Sequence, residues 1–145
     1  RGAAAARGEG PALTPVVLVD ARNVMRSRCP NIPAERFLDL TQAWGEQEGA
    51  RVVAVFDGRA PGEREEITVV GTGHGSADDW IAEHAPDLAW DGHRVWLVSS
   101  DRGLKERVAG HVERIIGGGS FAGRLEALTR EGQGYYRPTD GTDDE

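Results

Sequence analysis

Residues 16–23 read V-V-L-V-D-A-R-N: four apolar residues, Val16 to Val19, run straight into Asp20, and Asn23 follows within the next turn of chain. A short apolar run rich in β-branched side chains and bounded by polar residues is the pattern of a strand buried on both faces, as in a parallel sheet. Two further stretches repeat it. Val52 to Asp57 reads V-V-A-V-F-D, and Val95 to Asp101 reads V-W-L-V-S-S-D. A fourth segment, Gly75 to Ile81 (G-S-A-D-D-W-I), places Asp78 and Asp79 at a helix start. In an open α/β sheet the carboxyl ends of parallel strands share one edge, and ligands bind there. Acids carried to that edge by separate strands converge, and converging carboxylates repel unless a cation lies between them. The pattern points to a hard-metal site.

Outward from these motifs, strands and helical patterns alternate. Pro33 to Glu48 predicts a helix with Phe37, Leu40 and Trp44 on one face, ended by Gly49. Arg51 to Phe56 predicts the second strand, and Ile67 to Val70 a shorter edge strand. Helices are expected over Ser76–His84, Asp101–Val108 and Ser120–Leu128, and strands over Arg94–Val98 and Val112–Ile116. Strands separated by single helices form right-handed βαβ units. The expected fold is α/β, a three-layer α/β/α sandwich with a mainly parallel sheet. Residues 1–13 read as a flexible lead-in, 14–130 as the folded domain, and 131–145 as a Gly-rich, then acidic tail whose Tyr135 and Tyr136 are candidates to dock back onto it.

The chain has 145 residues, 39% hydrophobic and 28% charged, enough for one domain with one core. Its net charge of −7 argues against a protein that coats nucleic acid non-specifically. Four of the acids, however, lie in the last six residues, Asp140 to Glu145. No run is apolar and long enough to span a bilayer, and the first residues lack the apolar core of a secretory signal. Cys29 is the only cysteine, which rules out an internal disulfide. These features predict a cytoplasmic protein with no membrane partner. The oligomeric state is left open.

Each acid has an ordinary structural explanation beside the chemical one. Asp20 could form a turn, and the Asp57–Gly58 pair is a common turn dipeptide. Asp78 and Asp79 complement a helix dipole, with Ser76 the cap, and Asp101 suits a helix N-cap. None is specific alone; their recurrence at one topological edge is what favours chemistry. Arg22, Arg26 and Arg28 follow Asp20, and Arg102, Lys105 and Arg107 follow Asp101. Cations outside and carboxylates inside suit a phosphodiester. No Gly-rich phosphate loop follows the first strand, and Arg22 stands where an aspartyl-nucleophile phosphatase would need a second Asp. His74 lies in the loop G-T-G-H-G, most simply as a solvated side chain. His84, His93 and His111 lack zinc-ligand spacing, and Cys29 has no neighbouring base or nucleophile elbow.

The quoted segments, with V-S-S-D-R-G-L and a G-G-G-S-F stretch before the last helix, resemble the NYN domain, and within it the YacP-like group of the PIN-like nuclease superfamily. The resemblance covers about residues 14–130. It implies a metal-dependent endoribonuclease using Mg²⁺ or Mn²⁺, with RNA as partner in a ribosomal or RNA-processing setting. The family's acids fall on Asp20, Asp78 and Asp101 as catalytic metal ligands, and Asp57 and Asp79 are further candidate ligands. Asn23, Arg22, Arg102 and Ser100 are the implied substrate contacts. The family usually carries Gly-Tyr where this chain has Ala21-Arg22, and a small polar residue in place of Asp79. Two other functions fit the same residues: a PIN-like module that binds RNA or protein without cutting, and a small-molecule phosphoesterase.

Overall fold

A computed structural model describes residues 14–136, with side chains through residue 130. The expected lead-in, the tail from residue 137 and the docking of Tyr135 and Tyr136 lie outside the described residues and side chains. Five strands, β1 (Val16–Asp20), β2 (Arg51–Phe56), β3 (Thr68–Gly71), β4 (Val95–Val98) and β5 (Arg114–Ile116), form one sheet. All its pairings are parallel, in the order β3-β2-β1-β4-β5. β1 is central and buried along its whole length, as its unbroken apolar run requires. The edge strands β3 and β5 are the least buried.

Alternation along β1 assigns its side chains to two cores. Val17 and Val19 pack with α2 (Ala34–Glu48) and α5 (Gly118–Tyr136), through Phe37, Leu38, Trp44, Phe121 and Leu125. Trp44 and Phe121 meet edge to face at 4.9 Å, joining those helices. Val16 and Leu18 face α3 (Ala77–Trp90) and α4 (Arg102–Val108), through Ile81, Ala85, Leu104 and Val108. The result is the expected three-layer sandwich. Among the described residues no helix is long and apolar enough to cross a membrane.

Three boundaries differ from expectation. The stretch after Asp20 is a five-residue helix, α1 (Ala21–Met25), which buries Ala21 and Val24. α3 does not stop ahead of Pro86 but runs to Trp90. The ring removes one helical hydrogen bond, yet the apolar face set by Ile81 and Ala85 continues through Leu88 onto the core, and burial overrides the local penalty. α5 continues past residue 130 to Tyr136.

Candidate active site

β1 lies between β2 and β4, so the chain leaves it in opposite directions on its two sides. At such a switch point the loops beyond the carboxyl ends part and leave a crevice. A cavity of about 440 Å³ opens there. Asp20, Asp57 and Asp78 line it with Arg22, Asn23, Arg26, Ser27, Ser76 and Ser100.

Asp20 ends β1 and is only 5% exposed. It stands at the N-terminus of α1, but its side chain makes no full capping hydrogen bond and is tied instead to Ser99, although the Asn23 amide in the first turn lies near enough to favour its ionised form. Burial pushes its pKa from 3.8 to about 6. The hydrogen bond from Ser99 opposes that shift, while the nearby charges of Asp78 and Asp57 add to it. Asp78 is also raised, first by burial and then by the charges of Asp101 and Asp57, with Arg107 opposing. The acids thus share one electrostatic environment although they come from different elements.

The other predicted residues divide by what their side chains touch. Asp57 accepts the Ala77 amide through Oδ1 at 2.8 Å, fixing the start of α3 beside the pocket. Its Oδ2 lies 3.7 Å from Arg22 Nη1. Asp79 points elsewhere, bonding Arg107 at 3.0 Å, so a chain-internal partner accounts for it. Asp101 is the N-cap of α4, its Oδ1 accepting the Leu104 amide at 2.9 Å. It is not on the cavity lining, but it is near enough to Asp78 to raise that group's pKa. Arg102 is exposed at the start of α4, away from the lining. Asn23 Oδ1 accepts the Ser100 amide at 2.9 Å, and Ser100 Oγ accepts the Gly118 amide at 2.7 Å. With the Asn23 oxygen so engaged, its amide N–H groups remain as donors, and the Ser100 hydroxyl keeps its own proton to donate.

Ser99 was not singled out from the sequence. It is fully buried, donates to Asp20 Oδ2 at 2.9 Å and accepts the Asp101 amide at 3.0 Å. The signal was present: a polar pair between an apolar strand and an acid must find partners when the strand is buried. Ser27 was also missed, on an irregular turn without periodicity. His74 is exposed and off the lining, and His84 stacks on Trp80 at 3.7 Å.

Carboxylate oxygens are hard donors that suit Mg²⁺ or Mn²⁺. Among the described residues no three acidic, His or Cys side chains stand together as a ready-made ligand group. The expected trio of Asp20, Asp78 and Asp101 is therefore not gathered into one ligand group; a cation here would draw on one or two carboxylates, with water and phosphate oxygens as its other ligands. Asp20 and Asp78, both on the cavity and both raised in pKa, are the pair that fits this role.

No family model matches the sequence. Solved structures do. Rae1 (YacP) from Bacillus subtilis superposes with a TM-score of 0.69 and 18% identity, over 86% of this chain and 81% of that one. A point mutant of the same protein gives 0.68 and 18%, over 86% and 83%. A point mutant of T5 5′-exonuclease gives 0.51 and 16%, over 70% of this chain but only 49% of that one. The chain therefore carries the fold of Rae1 (YacP).

Proposed function

We propose that the protein is a metal-dependent endoribonuclease that hydrolyses RNA phosphodiester bonds at the cavity beyond β1. One observation carries this reading. Asp20 and Asp78 share a cavity in which burial, and then the charges of neighbouring carboxylates, push both pKa values up, and Arg22 and Arg26 line the same cavity. Carboxylates crowded by other acids are the arrangement a cation relieves, and arginines beside them suit a phosphate that arrives with it.

In this reading Asp20 and Asp78 hold the ion, and Asp101 supports it from beside Asp78. Bound there, Mg²⁺ or Mn²⁺ supplies a water of lowered pKa and neutralises charge on the phosphate. Arg22 and Arg26 orient the backbone by charge-assisted hydrogen bonds. The Asn23 amide and the Ser100 hydroxyl donate to phosphate oxygens as well. Asp57 holds Arg22 and the start of α3 in place. No side chain on the cavity is a ready nucleophile of the Cys–His or Ser–His type, so the chain's role is binding, orientation and charge balance. The likeness to T5 5′-exonuclease supports the class of reaction; RNA as substrate and internal cutting are this proposal's own. A cytoplasmic location and a ribosomal or RNA-processing setting belong to the same proposal.

The test is incubation of the purified chain with single-stranded and hairpin RNA in Mn²⁺ or Mg²⁺. Internal cleavage is expected, abolished by EDTA and by Asp78→Asn. RNA bound with no metal-dependent cleavage would leave the binding module as the better reading. Turnover of a small chromogenic phosphoester but not RNA would leave the phosphoesterase.

A further inference from the structure

A second cavity, of about 500 Å³, lies on the helix-covered side of the molecule between residues 28–33, α2 and α5. Its floor is apolar, formed by side chains such as Ile32, Leu40 and Leu125. Its rim carries Arg28, Arg36, Arg130 and Glu126. Glu126 is already used: Arg28 donates to it through Nε at 2.7 Å and through Nη2 at 3.1 Å. Arg36 donates to the Thr129 hydroxyl at 3.2 Å. Among the described residues neither Arg36 nor Arg130 forms a salt bridge. The rim therefore keeps a positive surplus on a chain whose net charge is −7.

The two cavities adjoin along the chain. Arg26 and Ser27 line the acid pocket, and Arg28 and Cys29 line the second one. Consecutive Cα atoms are about 3.8 Å apart, so the two cavities share a wall at the Ser27–Arg28 junction. Arg26 stands on the acid-pocket side of that junction, and Arg36 and Arg130 supply the surplus cations on the other, where Arg28 is held by Glu126. A cationic track beside surfaces that take base faces is how single strands are held without sequence readout.

We infer that the second cavity is an RNA subsite, taking a nucleotide of the single strand that flanks the cut bond. Its base lies on the apolar floor and its phosphate against Arg36 and Arg130. The assignment rests on the nuclease reading of the acid pocket, which fixes where the strand begins. Aliphatic rather than aromatic side chains line the cavity, so the subsite gives a base face contact without ring stacking and favours length over base identity.

Cys29 is the chain's only cysteine, is exposed and lines this cavity, so it serves as a reporter. The experiment uses the Asp78→Asn chain, to avoid turnover, with a trinucleotide and a decanucleotide of single-stranded RNA. The decanucleotide should slow the reaction of Cys29 with a thiol reagent by roughly fivefold or more, and the trinucleotide should not. Anisotropy should show that Arg36→Glu with Arg130→Glu narrows the affinity gap between the two lengths by about tenfold. The salt slope of decanucleotide binding should fall by about 0.7 per lost phosphate contact. Both arginines are exposed, so the double variant is expected to fold. Suppose RNA binds, yet Cys29 reacts at one rate with and without the decanucleotide and the double variant keeps the gap. The subsite is then wrong while the nuclease reading stands. If neither RNA binds, and the parent chain cleaves none, both fall.

Discussion

The Ser99 hydroxyl donates to Asp20 Oδ2 at 2.9 Å across 79 residues of sequence, tying the end of β4 to the end of β1. The same oxygen accepts the Asp101 amide at 3.0 Å. One buried hydroxyl thus positions two of the acids. Ser99→Ala should cost about 1–3 kcal/mol, because it strands a buried acceptor and a buried amide. It should also raise the Asp20 pKa further, since this hydrogen bond lowers it. Urea denaturation reads the first effect, and a shift of the acid limb of the activity profile to higher pH reads the second.

Asp20 makes metal-free stability depend on pH in a direction that can be worked out. Its folded pKa, about 6, exceeds the ordinary value of 3.8. Between those values the folded state holds the proton more tightly, so stability falls as pH rises through the window. At pH 7 the ionised group is a burden that Asp20→Asn removes. Melts in EDTA should show the variant equal to or more stable than the parent at pH 7, by on the order of 2 kcal/mol, with the gap closing toward pH 4. A clear loss of stability at pH 7 would contradict the strained carboxylate.

Asp101 separates capping from chemistry. Asn is as good an N-cap as Asp, whereas Ala is not. Asp101→Asn should leave stability nearly unchanged and reduce cleavage. Asp101→Ala should lose about 1 kcal/mol as well. Equal cleavage by Asp101→Asn and the parent chain would leave this residue only its cap.

Asp79 and Asp78 are adjacent but should behave differently. Asp79 spends its carboxylate on an exposed ion pair with Arg107. Asp79→Asn should cost less than about 1 kcal/mol and keep metal-dependent cleavage, while Asp78→Asn loses it. Loss of cleavage in Asp79→Asn would restore it as a ligand.

Gly118 is where the last helix meets the site. A Cβ there would collide with Asn23 Oδ1 and stand 3.3 Å from the Asn23 carbonyl oxygen. Gly118→Ala should destabilise by about 1–3 kcal/mol. Part of that loss should vanish in the Asn23→Ala background, a non-additivity that a double-mutant cycle measures.

The layers were legible because Val16 to Val19, Val52 to Phe56 and Val95 to Val98 are apolar without alternation, and only burial on both faces explains that. The common edge followed from strands running in parallel. What side chains do at that edge was less legible. Asp20, Asp57, Asp79 and Asp101 look alike in sequence, yet one is buried beside a hydroxyl, one holds a helix amide, one pairs with an arginine and one caps. Those differences depend on angles around helix starts, which residue spacing does not encode. The length of α3 was hidden for a related reason: Pro86 carries a local penalty that is visible in sequence, whereas the core contact of Leu88 beyond it is not.

The central place of β1 also bears on how the pocket is assembled. Asp20 is the twentieth residue, but Ser99 and the Asp101 amide that share its hydroxyl come from the far side of the sheet, and the Ser99 amide is itself held by the Ile116 carbonyl on β5. Gly118, from still later in the chain, donates its amide to the Ser100 hydroxyl on the wall. The pocket therefore has no local version: a segment holding β1 alone carries Asp20 but neither the hydroxyl that holds it nor the acids beside it, and the wall exists only when β1, β4, β5 and the start of α5 are docked together.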